Sequence, residues 1–309
     1  MQYFDNTNID FIGKRKFFTY FSTGLNILGI LLAFIIPPSL GIDFKGGSEI
    51  AVEFSNDMKI TDLRNELDGL KISGMEIKSF GASNQFLIRV PTSDNGTDLV
   101  TNKLNQSYSN NFKVIKIDKI GPKIGSEMFI SAMWAVLLAM IAMMIYIAFR
   151  FEFVYGVGAI IALLHDVIVT FTIIIIVHNL GIIDLEVNQG FIAGILTVIG
   201  YSINDTVIIF DRIRENKEKH KGLNFTKMVN LSINETLSRT VNTTATTIGV
   251  LLILVLFGGP VLQGFAFIMF IGIITGTYSS IFIASNYVIW YNTERKSSEK
   301  VSTNLSTVK

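Results

Sequence analysis

Gly190-Phe-Ile-Ala-Gly-Ile-Leu-Thr-Val-Ile-Gly-Tyr-Ser-Ile-Asn-Asp-Thr-Val-Ile-Ile-Phe210 reads as a membrane span with one ionisable residue inside it, Asp205. A carboxylate at that depth costs about 2.5 to 3.5 kcal/mol to insert. Something must offset that cost. Intramembrane carboxylates face a bundle interior or a water-filled cavity, and they mark ion or proton pathways. The first expectation is a helical membrane protein whose function runs through Asp205.

The rest of the chain agrees. Of 309 residues, 50% are apolar, mean hydropathy is +0.47, and several uncharged runs exceed the roughly 18 residues that suggest a span. With no Cys, disulfide and thiolate chemistry are excluded. Three scattered His without ligand spacing argue against a zinc or haem site, so no metal is expected. The net charge of +1 says little about partners; the position of Lys and Arg relative to the spans says more.

Six spans are expected at 17–36, 128–149, 153–177, 187–210, 239–257 and 262–290. The first is too long for a signal-peptide core and ends in Ile35-Ile36-Pro37-Pro38-Ser39, without the usual small-residue cleavage site. Lys14, Arg15 and Lys16 precede span one, Arg150 follows span two, and Arg212, Arg214, Lys217, Lys219, Lys221 and Lys227 follow span four. Arg295 and Lys296 follow span six, while the connections 178–186 and 258–261 lack Lys and Arg. The positive-inside rule then places both termini in the cytoplasm and the long segment after span one outside. The expected division is a cytoplasmic N-terminus (1–16), helix 1 (17–37), an outer domain (38–126), five helices (127–290) with a cytoplasmic loop at 211–238, and a cytoplasmic tail (291–309). The polar, aperiodic stretch from Ser297 reads as a disordered tail.

The outer segment alternates like a small domain. Strands are expected at 48–54, 75–80, 85–90 and 112–117, with helices at 60–70 and 94–107. The order βαββαβ is ferredoxin-like. Ser93 or Asp94 is placed to cap the second helix. The expected fold is a polytopic α-helical membrane protein: six transmembrane helices, with a small ferredoxin-like α+β periplasmic domain between helices 1 and 2.

Within span five, Arg239, Asn242, Thr243, Thr246 and Thr247 fall on one helical stripe, which should face protein or water. Interhelical hydrogen bonding explains the Thr residues equally well, at about 0.6 to 2 kcal/mol per contact. Arg239 reaches the level of Asp205 and Asn204, and two alternatives stand: it pairs with Asp205, or its guanidinium snorkels to the interface. Pairing would hold Asp205 ionised; its loss in a low-dielectric site would favour the neutral acid. A permanent ion pair fixing helix register is the structural alternative. His165 and Asp166, in the middle of span three, are candidates for relay or support. Gly190-x-x-x-Gly194 and Gly272-x-x-x-Gly276 are small-residue patterns that allow close helix approach.

Two motifs carry a resemblance: Gly41-Ile-Asp-Phe-Lys-Gly-Gly-Ser48 and Gly200-Tyr-Ser-Ile-Asn-Asp-Thr-Val-Ile-Ile-Phe-Asp-Arg-Ile-Arg-Glu-Asn216. With Asn234-Glu-Thr-Leu-Ser-Arg-Thr-Val-Asn-Thr-Thr244 and the order of elements over 11–293, the chain resembles the SecD/SecF family of the resistance-nodulation-division superfamily, on its SecF side. The resemblance implies pairing with SecD beside the SecYEG channel, with the SecA motor, YajC and a translocating preprotein as further partners. It implies a multi-pass protein of the bacterial inner membrane, working in the lipid bilayer without nucleic acid. Protons are implied as the coupling ion, with no cofactor. Asp205 matches the family's proton-conducting aspartate, and Arg239 matches the arginine that controls its protonation. In the first motif, Gly41, Gly46 and Gly47 permit positive-φ turns where the chain leaves the membrane, serving a hinge beside Asp43 or a plain tight turn.

Three rival readings fit less well. A lipid or drug exporter of the same superfamily would carry two six-span repeats, and this chain has one. A scaffold subunit without proton transfer would tolerate Asp205→Asn. An intramembrane protease needs a Ser–His pair in facing spans, and Ser202 with His165 makes no adequate pattern.

Overall fold

The computed structural model describes residues 7–81, 83–91, 95–109 and 111–295. In chain order the elements are α1 (Arg15–Ile35), α2 (Ile42–Lys45), β1 (Gly47–Phe54), α3 (Ile60–Asp68), β2 (Glu76–Ser79), β3 (Gln85–Val90), α4 (Gly96–Tyr108) and β4 (Phe112–Ile120). The membrane region continues with α5 (Pro122–Arg150), α6 (Phe153–Asn179), α7 (Gln189–Lys219), α8 (Phe225–Phe257) and α9 (Gly259–Ser279). A π-helical turn (Ser280–Ala284) leads into α10 (Ser285–Trp290), and a second π turn (Tyr291–Arg295) follows. Among the described residues, six helical segments are long and apolar enough to cross a membrane, the last running from Leu262 to Thr293. The Ser93–Asp94 cap and the tail from Ser297 lie outside the described residues.

The outer domain is ferredoxin-like. Its sheet runs β2-β3-β1-β4, with β1 antiparallel to both neighbours. Alternation sets its core: Ile50, Val52 and Phe54 of β1 and Phe86, Ile88 and Val90 of β3 are buried against Leu63 and Leu67 of α3 and Val100 and Leu104 of α4. The residues between them, Glu49 and Arg89 among them, take the opposite face.

Charged residues at 211–238 read as a loop, but most of that stretch is helix. The connection between α7 and α8 is residues 220–224. Helix continues past the bilayer because charges there are paired along and across it. Glu215 bonds Lys219 one turn on. Buried Asn216 donates to Ser232 at 3.0 Å and to Glu235 at 2.7 Å. Asn224 then caps α8 by accepting from the Thr226 N–H.

The basic clusters gather at this end. Arg150 pairs with Asp211, and Lys217 with Glu152. Asn230 and Asn234 of α8 hold the segment before α1 by accepting from the N–H groups of Phe11 and Ile9 and donating to the Ile9 carbonyl. The outer domain sits at the opposite end, as the positive-inside reading requires.

Helices α6, α7 and α9 form the centre, while α1 and α5 are mostly peripheral. The α7–α9 crossing is built on small residues. A Cβ at Gly272 would lie 2.2 Å from Val198 Cγ2, one at Gly276 would lie 2.8 Å from Ser202 Cβ, and one at Gly194 would lie 3.0 Å from Ile268 Cγ2. Gly190 plays no part: it sits in the first turn of α7, where only the Asn188 side chain lies within 4 Å. Gly272→Leu is therefore expected to push α9 off α7 and to destabilise the bundle by about 1–3 kcal/mol or more. Thermal unfolding of the detergent-solubilised protein measures this.

Candidate functional site

Asp205 and Arg239 lie at matching heights. Each is fourteen residues from the α7–α8 connection, Asp205 before Lys219 and Arg239 after Phe225, or about 21 Å along its helix. Tyr201 fixes this register: its hydroxyl donates to the Thr243 carbonyl at 3.0 Å and meets Thr247 Oγ1 at 2.8 Å. Arg239 is thus well inside α8, not at its start.

Asp205 is buried, at 1% exposure. One oxygen, Oδ2, accepts from Thr277 Oγ1 of α9 at 3.3 Å, and Thr277 meets Thr244 of α8 at 2.9 Å. The other, Oδ1, is buried with no hydrogen-bond partner. Arg239 is exposed, because Thr236 and Thr240 occupy the inward positions beside it, and no ion pair joins it to Asp205.

The stripe on α8 divides. Thr243, Thr246 and Thr247 each donate to a carbonyl one turn back in their own helix, so the threonines need no partner helix for satisfaction. Thr246, Asn242 and Arg239, together with Asn204 of α7, are exposed. Polar groups facing outward at membrane depth call for a protein or aqueous neighbour.

A second carboxylate lies in the core. Asp166, at 1% exposure, accepts through Oδ2 from Ser202 Oγ at 2.6 Å and Ser279 Oγ at 2.8 Å. Its Oδ1 faces His165 Nδ1 at 3.1 Å. His165 stacks on Tyr278, whose hydroxyl meets Ser22 of α1 at 2.7 Å. Both carboxylates are served by the same two helices: α7 carries Asp205 and Ser202, one turn apart, and α9 supplies Thr277 and Ser279. The π turn begins directly after Ser279, and such turns are frequent at functional sites. Sequence reasoning misses Thr277 and Ser279 and meets Ser202 only as a rejected nucleophile, although the run Thr275-Gly-Thr-Tyr-Ser-Ser280 is a dense patch of hydroxyls within an apolar span.

The motif after span one is a packed joint. Gly46 and Gly47 have φ of 76° and 136°, and a Cβ at Gly46 would lie 2.8 Å from Pro122 Cα at the start of α5. Gly41 departs from the positive-φ expectation. Its backbone is extended, with φ −69° and ψ 171°, and its need is space, since a Cβ there would lie 3.0 Å from Asn188 Cβ. Asp43 accepts from the Gln189 N–H at 2.9 Å, and Asn188 accepts from the Phe191 N–H at 2.8 Å, so the first turn of α7 is capped twice.

Fold and site together define a six-span membrane transport subunit with a ferredoxin-like outer domain and buried carboxylates in its central helices. Residues 32–58 match the SecD/SecF GG motif, and residues 100–294 match the protein export membrane protein SecD/SecF C-terminal family. Protein translocase subunit SecF of Calditerrivibrio nitroreducens is 39% identical over 300 residues, covering 94% of this chain and 97% of the relative. SecF of Rickettsia prowazekii is 37% identical over 301 residues, covering 96% and 94%. The crystal structure of SecDF, a translocon-associated membrane protein from Thermus thermophilus, superposes with a TM-score of 0.84 at 33% identity over 95% of this chain. SecDF in its super-membrane-facing form gives 0.71 at 30% identity over 98%. This chain spans 40% and 41% of those two longer chains. The chain belongs to the SecD/SecF family of protein export membrane proteins.

Proposed function

We propose that this chain couples proton movement across the membrane to preprotein export, with Asp205 taking up and releasing the proton and Arg239 biasing that step. The chain is an accessory subunit of the Sec pathway in the bacterial inner membrane, a transport protein and not an enzyme. The observation that carries the proton reading is Asp205 itself: buried, held through one oxygen, with the other oxygen unpartnered and open to a proton. Protons serve as the coupling ion without a cofactor. One charge crossing the membrane gives about 2.3 kcal/mol per 100 mV, which shifts a two-state bundle about fifty-fold.

Partnership follows from the exposed polar groups. Arg239, Asn242, Thr246 and Asn204 would face hydrocarbon if the chain stood alone, and a second membrane subunit removes that cost. SecD is that subunit in this reading, supplying the portion of the longer SecDF chains that this one does not span. The SecYEG channel, SecA, YajC and the preprotein are its further partners, with SecA driving the first, ATP-dependent stage.

Preprotein translocation into inverted vesicles tests this, comparing vesicles that lack the chain with vesicles in which it is restored beside SecD. Restoration is expected to add a component seen only with an imposed proton gradient. Equal gradient dependence with and without the chain would contradict the reading.

A further inference from the structure

The connection between α6 and α7 crosses the open face of the outer sheet and meets two cations there. Arg89 of β3 donates to both oxygens of Glu186 at 2.7 Å and reaches Glu49 of β1 at 2.6 Å. Lys78 of β2 donates to Glu186 at 2.7 Å and to Asp184 at 3.0 Å. The Glu186 and Arg89 side chains are only 10% and 18% exposed. Main chain joins the same place: Gly41 donates to the Val187 carbonyl and Val187 to the Ser39 carbonyl, at 3.0 and 2.8 Å. A cleft of about 370 Å³ lies between sheet and loop, with these charges along it.

A two-pronged Arg–carboxylate pair is strong and directional, and deleting one partner strands the other charge in a buried place. Burial alone would raise the Glu186 carboxyl; the hydrogen bonds from Arg89 and Lys78 outweigh it and hold the group below its ordinary value of 4.5. A carboxyl depressed in this way contributes its stability fully above the ordinary value and loses it as pH falls through the lower, folded one. Around it stand Arg89, Lys78, Glu49 and Asp184, with Glu76 at 3.6 Å from Arg89 and His178 at 3.3 Å from Asp184. The joint therefore stays charged at neutral and mildly acidic pH, as on the acidic side of an energised membrane.

From Glu186 the connection to Asp205 is short and stiff. Asn188 and Asp43 cap α7, which runs unbroken from Gln189 to Lys219 and carries Asp205 about 24 Å from its start at 1.5 Å per residue. We propose that Glu186 is a positioning residue which, through Arg89 and Lys78, fastens the outer domain to the helix that bears Asp205, so that the two move as one body during each proton cycle. This rests on the proton role of Asp205 given above.

The test uses the complex with SecD in inverted vesicles. Because the chain has no cysteine, Lys78→Cys and Asp184→Cys supply its only two thiols, which a short bis-maleimide can bridge. Glu186→Gln is expected to cut gradient-dependent translocation about fivefold or more, leaving the gradient-independent rate and the yield of complex unchanged. The bridge in that background should restore the lost component, and the unbridged cysteines should not. Should Glu186→Gln fail to assemble, the bridge in the chain with native Glu186 decides: one body predicts full gradient dependence, whereas a joint that must open predicts its loss. Native-level gradient dependence in Glu186→Gln, or a bridge that does not rescue it, overturns the proposal. Asp205→Asn in the same vesicles separates the two levels, since persistent gradient dependence there overturns the proton reading itself.

Discussion

Asp205→Asn is expected to bring translocation in the presence of a proton gradient down to the rate seen without one, while the complex with SecD still assembles. The asparagine is nearly isosteric, and its carbonyl oxygen can accept the Thr277 hydroxyl in place of Oδ2. Packing at the α7–α9 crossing is set by Gly272, Gly276 and Val198 and is untouched. The amide cannot bind and release a proton in the working pH range, so the roughly 2.3 kcal/mol per 100 mV available per charge no longer reaches the helices. Parallel assays of pull-down and gradient-dependent translocation separate loss of coupling from loss of assembly. A scaffold role would leave the gradient dependence intact.

Asp166→Leu is expected to have the opposite profile, with assembly itself failing. The carboxylate accepts from Ser202 and Ser279 and faces His165, joining α6, α7 and α9 at one buried point. Leucine leaves the Ser202 hydroxyl without an acceptor, at about 1–3 kcal/mol, removes the partner of His165 Nδ1, and leaves Ser279 only its own-helix bond to the Gly276 carbonyl. Asp166→Asn retains an acceptor oxygen and should keep the fold together with most of the gradient dependence. This contrast rests on satisfaction: both oxygens of Asp166 are engaged, whereas Asp205 Oδ1 is not. Unfolding temperature in detergent, read beside gradient-dependent translocation, checks it. If Asp166→Asn assembles yet loses gradient dependence as Asp205→Asn does, His165 and Asp166 belong to the proton path.

The sequence was most legible where apolar patterning dominates. Long uncharged runs revealed six spans, and period-two alternation with β-branched residues revealed the strands of the outer domain. Helix beyond the bilayer was less visible, because the charges at 211–238 look like loop until Asn216 is seen bonded across to Ser232 and Glu235. Asp205 and Asp166 stood out because an ionisable group in an apolar run is rare. Their hydroxyl partners did not, since Ser and Thr in spans commonly bond their own helix, as Thr243 and Thr246 do. Glu186, Arg89 and Lys78 were invisible because the contact joins residues about a hundred positions apart in a loop and two strands, and nothing local marks it. Gly41 read as a turn glycine, but its constraint comes from Asn188, distant in the chain.

That Asp205 carries the proton is a claim tested by proton uptake into liposomes containing this chain and SecD under an imposed potential, followed with an internal pH-sensitive dye. Uptake is predicted with the native chain and with Asp166→Asn, and none above empty liposomes with Asp205→Asn. Uptake by Asp205→Asn at the native rate would contradict the claim.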